Sequence, residues 1–209
     1  MRTLIGLIVG ATLAAVTTME AQAVPDCWSL RFTVARDAFQ GASTDTTTIP
    51  GASVEVVPAP RLSFEAGASR ALGAWEVGLT AGYAAGALRA RTDALLLEDR
   101  TGDVQRFRAS LLVGRRIATL GPTTMLILTG PALDHWKTAG IGDRTTFSAR
   151  IALALRIPLG PMRLENLVGF GVGGSPFRRV DLPVEARLRM LRTWSFGIGL
   201  YIPLGKHSV

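Results

Sequence analysis

The chain of 209 residues has one cysteine, Cys27, so no internal disulfide can form. The residues just before it, Val24-Pro25-Asp26, are nothing like the small-residue box of a lipoprotein. Lysine is nearly absent: only Lys137 and Lys206 occur, and arginine carries the rest of a net charge of +7. Charged residues make up 19% of the chain, and mean hydropathy is +0.30. Beyond the N-terminus, no apolar run reaches the roughly 18–20 residues that a membrane helix needs. High apolarity without such runs points to strands facing lipid, because only helices and closed barrels satisfy every backbone group there. The arginines are spaced singly along strands, without the clustered patch of a nucleic-acid footprint, so no nucleic-acid partner is expected. There is no Walker loop, dinucleotide-binding glycine pattern, zinc spacing or EF-hand. No cofactor and no metal are expected.

What the chain has is alternation. In residues 144–174, Phe147, Ala149, Ile151, Leu153, Leu155, Ile157 and Leu159 are apolar at every second position. Ser148, Arg150, Ala152, Ala154 and Arg156 sit between them. After the break at Leu159-Gly160-Pro161, Met162, Leu164, Val168, Phe170 and Val172 oppose Arg163, Glu165, Gly169, Gly171 and Gly173. Period-two alternation of this length means strands with two unlike environments.

The N-terminus reads as a secretory signal: Arg2, an apolar stretch over residues 4–16, and an Ala21-Gln22-Ala23 cleavage site. The expected organisation is a signal peptide over residues 1–23 and a barrel domain over 24–209. Strands are expected at 28–35, 53–71, 74–88, 104–118, 123–136 and 193–204, with the hairpin of 144–174 supplying two more. The faces of 123–136 cannot be assigned from Met125-Leu126-Ile127-Leu128. Pro58 and Pro60 demote the first half of 53–71 to an edge, bulge or extension. Residues 37–52, 89–103 and 137–143 read as loops. Residues 181–191 alternate and could form a ninth strand, but parity argues against a ninth span. Eight spans put the tight turns at Leu72-Gly73, Leu120-Gly121 and Leu159-Gly160 on the side of the termini and every long loop on the other. That is the arrangement of outer-membrane barrels, so 181–191 is expected above the membrane.

The polar face is built from Gly, Ala, Ser and Arg with a few Glu, which suits a crowded lumen rather than a solvated surface. Arginine at the bilayer midplane on the lipid face would cost roughly 2–4 kcal/mol, which sends the charges inward. The expected lumen network is Arg31, Arg61, Glu65, Glu76, Arg106, Arg108, Arg116, Arg150, Arg156, Arg163 and Glu165. Acidic loop residues or bound anions must balance its arginine excess. Arg115 falls on the apolar face near a turn, where it can snorkel. Trp28, Trp75, Tyr83, Trp136 and Trp194 are the expected interfacial aromatics.

With these strands, turns and loops, residues 28–204 resemble the small eight-stranded outer-membrane β-barrel family of the OmpA-transmembrane and OmpX type. The resemblance implies an all-β, antiparallel, up-and-down transmembrane barrel in the outer membrane. Outer-membrane lipid, lipopolysaccharide and the outer-membrane assembly machinery are the implied partners. Such barrels commonly end on an aromatic residue, whereas here the strand ends at Leu204 and Gly205 to Val209 follow. The expected role is structural or surface-interacting, through loops of unspecified ligand. Three alternatives stay open. The first is a lipid A-modifying enzyme, with His135 as general base and Ser148, Ser43 or Ser175 as nucleophile. The second is a narrow anion-attracting pore. The third is a soluble lipocalin-like periplasmic carrier with the faces inverted.

Overall fold

The computed structural model describes residues 27–41, 43–49, 52–91, 96–139, 142–181 and 187–204. The expected signal segment, its cleavage site and residues 205–209 lie outside the described residues. Eleven antiparallel strands form one sheet: β1 (Trp28–Gln40), β2 (Ser43–Ile49), β3 (Ala52–Pro58), β4 (Arg61–Leu72), β5 (Trp75–Arg91), β6 (Leu96–Leu120), β7 (Thr123–Thr138), β8 (Gly142–Leu159), β9 (Met162–Gly173), β10 (Arg187–Leu188) and β11 (Leu191–Pro203). Eight of them, β1, β4, β5, β6, β7, β8, β9 and β11, pair in sequence. The ring closes where β1 pairs with β11 from Ser29–Pro203 to Gln40–Arg192. Closure removes every edge, as a barrel in hydrocarbon requires.

Three hairpins at one end turn on two residues, and Gly73, Gly121 and Gly160 sit there at φ of 63°, 59° and 60°. Pro122 and Pro161 follow two of these glycines. Proline fixes φ near −65°, so only the first central residue has positive φ. The backbone of these two turns is therefore of type II′, whose twist matches the flanking strands.

The other end is more ordered than the sequence suggests. Residues 37–52 are not a plain loop: β1 runs on to Gln40, and β2 and β3 form a hairpin. Residues 89–103 are not a plain loop either. Arg89 pairs with Glu98 and Arg91 with Leu96, continuing the β5–β6 ladder past a register shift between Gly86 and Leu88. In place of the loop at 137–143, β7 reaches Thr138 and β8 begins at Gly142. Cross-strand hydrogen bonding outlasts the alternation, because outside lipid either face can be polar. The expected strand over 53–71 is two strands, broken at Ala59-Pro60, where Pro60 has no N–H to give the ladder. β3 leaves the ring and pairs with β2 and with Leu88–Arg91 of β5. Of residues 181–191, Arg187 and Leu188 pair with Thr44 and Ser43 outside the ring, Leu191 opens β11, and 182–186 lie outside the described residues. The spans therefore number eight.

The apolar face is outside. Phe147 is 77% exposed and Leu79 66%, while Arg31, Arg106 and Arg156 are buried. The inverted, carrier-type arrangement is not formed. The ambiguous β7 resolves with Leu126, Leu128, Ala132, Asp134 and Trp136 inward and Ile127, Leu133 and His135 outward. The β6–β7 ladder lacks its pairs between Ser110–Ala132 and Val113–Thr129, beside Pro131, without a change of register. There the backbones crowd: a Cβ on Gly130 would lie 1.9 Å from the Leu111 carbonyl oxygen.

Two glycines should respond differently to one added methyl. A Cβ at Gly121 meets nothing within 4 Å, so Gly121→Ala should cost only the left-handed backbone strain of about 1–2 kcal/mol. Gly130→Ala must push two strands apart and should cost about 1–3 kcal/mol or more. Urea unfolding in detergent micelles, followed by tryptophan fluorescence, measures both.

Candidate functional site: a layered, ion-paired lumen

The inward faces supply the room for long charged side chains. Gly82 lies opposite Glu65, and Gly86 lies against Arg61. A Cβ at Gly82 would come within 2.9 Å of Glu65 Cγ, and one at Gly86 within 3.3 Å of Arg61 Nε. Small residues on one wall thus accommodate large ones from another, which is how an eight-stranded interior is filled.

Nearest the tight turns, Arg156 on β8 organises the first layer. Its Nη1 and Nη2 donate to Glu76 on β5 at 2.5 and 3.0 Å, and its Nε donates to Glu165 on β9 at 2.8 Å. Its guanidinium lies 3.7 Å from the Tyr201 ring centroid. Tyr201 accepts from Ser29 at 2.7 Å and donates to Glu76 at 3.5 Å. Arg31 Nε sits 2.6 Å from Glu165, a charge contact whose alignment falls short of a hydrogen bond. Beside this layer, Leu126, Leu128, Ala152, Ala154 and Leu167 form an apolar cluster.

The middle layer crosses the barrel. Arg150 on β8 gives Nη1 to both carboxylate oxygens of Glu65 on β4, at 2.9 and 3.0 Å. These two strands stand four steps apart in a ring of eight, so this pair ties opposite walls. Arg108 grips Asp134 at 2.7 and 3.1 Å, and Ser148 donates to the same carboxylate at 2.7 Å. Towards the loops, Asp37 accepts from Arg106 across the lumen and from Ser195 at 2.6 Å.

Above these layers lies a lid. Phe39, Val57, Val104, Trp136, Phe177 and Leu191 form one buried apolar cluster. Phe177 is carried in by the segment after β9, where its N–H donates to Ser175 Oγ at 3.2 Å. Arg61 donates to the Val104 carbonyl at 2.7 Å, and its guanidinium lies 5.3 and 5.8 Å from the Phe39 and Trp136 rings. Arg106 makes the same pair of ring contacts at 5.3 and 5.5 Å. Cation–π attraction of this kind strengthens once the cation leaves water.

Most expected lumen residues are therefore brought together: Arg31, Arg61, Glu65, Glu76, Arg106, Arg108, Arg150, Arg156 and Glu165. Arg116 and Arg163 lie at the rim of the buried layers. They sit half-exposed at the turn-side mouth, Arg116 donating to the Gly73 carbonyl at 3.2 Å and Arg163 reaching Thr124 at 3.5 Å. The arginine excess is answered by two aspartates within the spans. Asp37 reads as loop in the sequence, and Asp134 as a neighbour of His135. Their only sequence signal is in-phase position: Asp37 continues the odd-numbered inward face of β1, and Asp134 the even-numbered face of β7. Phe39 continues the same odd-numbered face of β1, whereas Phe177 carries no such signal.

Among the aromatics, Trp28, Trp75, Tyr83 and Trp194 face outward. Arg115 lies 5.3 Å from the Trp75 ring on the outside. Trp136 is a correction. It is 1% exposed and fills the lid instead of the interface, because it shares the inward phase of Asp134. The expected serine–histidine pairing is also corrected. His135 faces outward, with Nδ1 3.0 Å from Thr145 Oγ1 and Nε2 3.6 Å from Asp143. Ser148 faces the lumen on Asp134, Ser175 is bonded within its own turn, and Ser43 lies on the β2–β3 hairpin. Among the described residues, neither Ser148 nor Ser175 is a partner of His135.

Removing one member of a buried ion pair strands the other. Glu65→Leu alone leaves the Arg150 charge buried without its carboxylate and should cost about 3–5 kcal/mol. Arg150→Met added to it should recover most of that loss. The comparison of the two unfolding free energies in micelles checks it.

No family profile matches the chain, and no curated relative matches it. Solved structures do. Neisserial surface protein A (NspA) superposes with a TM-score of 0.58 at 9% identity, over 84% of this chain and 96% of that one. The outer membrane protein AlkL, solved in DMPC bilayers, superposes with a TM-score of 0.53 at 13% identity, over 92% and 97%. At these identities the likeness speaks for the fold alone. With the closed ring, the outward apolar belt and the filled lumen, it gives this chain the fold of the small eight-stranded transmembrane β-barrels.

Proposed function

We propose that this protein is exported to the outer membrane and has a structural or surface-interacting role there, without catalysis. One observation carries the reading: the lumen is filled in layers by Arg156–Glu76, Arg150–Glu65 and Arg106–Asp37, each joining non-adjacent strands, under an apolar lid. A barrel tied across its own lumen is a stiff support, and loops on stiff supports are a common place for binding. The end away from the tight turns supports this. There β10, β2, β3, β5 and β6 continue as neighbouring strands, raising an ordered sheet where outer-membrane barrels carry their external loops. Outer-membrane lipid, lipopolysaccharide and the assembly machinery are the partners this role requires. The ordered external wall is the surface proposed to meet other molecules.

The narrow-pore reading makes the opposite electrical prediction. Purified protein that shifts on SDS gels upon boiling should be silent in planar bilayers. Trp136→Ala removes the largest side chain of the lid and should also stay silent, because the ion-paired layers beneath it remain. It should lose about 3–5 kcal/mol of stability. Steady single-channel currents from the folded wild-type protein would overturn the proposal.

A further inference from the structure

The outward surface is not uniformly convex. A groove of about 700 Å³ runs across five neighbouring strands, β9, β11, β1, β4 and β5. One register row, Leu164–Leu200–Phe32–Ala66–Ala81, crosses it; Ile198, Val34, Phe64 and Tyr83 form the next row towards the loops. Alanines form its floor where phenylalanines would otherwise fill it. Strands stand about 4.8 Å apart, so a path over five of them is about 19 Å long. The volume falls in the ~300–1,000 Å³ range of pockets that enclose a sizeable organic ligand.

In hydrocarbon, an apolar groove selects nothing by itself, because lipid chains are as apolar as the side chains. Selection needs a head-group contact, and one stands at the lip. Arg36 is two residues beyond Val34 on the same outward face of β1, opposite Leu62 on β4 and Phe196 on β11. It is exposed, and among the described residues it makes no ion pair or hydrogen bond. A second outward, exposed arginine, Arg192 on β11, lies opposite Gln40, four residues further along β1. That offset separates the two cations by about 13 Å along the strands. Guanidinium groups bind phosphate through paired, charge-assisted hydrogen bonds. An arginine on the lipid side of a barrel, above an apolar groove and without a protein carboxylate, is placed for a lipid phosphate.

We infer that this face holds a phosphorylated, multiply acylated glycolipid of the outer leaflet. Its acyl chains lie in the groove and its phosphates meet Arg36 and Arg192. The inference rests on the outer-membrane reading above, since the loop end must face outward for these arginines to meet that leaflet. Two phosphate-binding positions suit a head group with two phosphates better than a phospholipid with one.

Native mass spectrometry of the full-length protein in mild detergent tests it, with three added probes: bis-phosphorylated lipid A, dephosphorylated lipid A and phosphatidylglycerol. Wild-type protein should retain one molecule of bis-phosphorylated lipid A. Dephosphorylation of the probe, or Arg36→Gln, should reduce retention about tenfold. Ala81→Trp, which fills the floor and leaves both arginines, should reduce it similarly. Arg115→Gln, at the turn end, should leave it unchanged. Equal retention of lipid A by wild type, Arg36→Gln and Ala81→Trp overturns the inference, as does phosphatidylglycerol bound as firmly as lipid A. The same samples are run boiled and unboiled on gels. Protein that shows no heat shift and leaves the membrane fraction fails the outer-membrane reading, whereas heat-shifting protein that retains no lipid A fails the glycolipid site alone.

Discussion

The structure depends on one constraint: guanidinium groups that enter a closed ring of eight strands must find carboxylates inside it. Six arginines lie deep in the lumen, and five carboxylates, Asp37, Glu65, Glu76, Asp134 and Glu165, meet them. The sixth charge is accommodated differently. Arg61 leans on a backbone carbonyl and two aromatic faces at the base of the lid. Carboxylates and rings have to come from walls that the arginines can reach, so the network also fixes which strands face one another. A slip of one residue in any strand would turn its charges into lipid.

This arrangement divides the molecule by task. The lumen ties β8 to β4 and to β5, and β6 to β1, so the ring resists flattening. The tight-turn end is kept short by three two-residue turns, each opened by a glycine of positive φ and two of them closed by proline. The opposite end is free to extend, and it does so as hydrogen-bonded strands. Outside, the apolar belt carries arginines near both ends. Arg115 at the turn end rests on Trp75, whereas Arg36 near the loop end has no ion pair or hydrogen bond among the described residues.

Much of the barrel was legible because a strand with one wet, crowded face and one oily face must alternate. β1, β8 and β11 announce themselves this way, and the arginines at positions 31, 106, 108, 150 and 156 give their inward phase directly. Legibility failed where alternation did. In β7, consecutive apolar residues hid the fact that Leu126 and Leu128 pack inside against Ala152 and Ala154. Trp136 was indistinguishable from an interfacial tryptophan, because its position near a strand end fits both a girdle and a lid. Beyond the membrane the pattern disappears, so the β2–β3 hairpin and the continued β5–β6 ladder read as loops.

The sequence by itself determined the number of spans, the tight-turn end and, outside β7, which residues share a face. These follow from period-two patterning, Gly-Pro turns and the cost of arginine in lipid, all of which are local. Tertiary structure decided the pairing partners. That Glu65 meets Arg150, that Asp37 meets Arg106, that Phe177 folds back to cap the lumen, and that Arg36 stands above an alanine-floored groove all depend on ring closure. Closure brings together side chains as many as 172 positions apart, as in the Ser29–Tyr201 hydrogen bond. No local pattern encodes those distances, because they arise from strand tilt and register summed around the whole barrel.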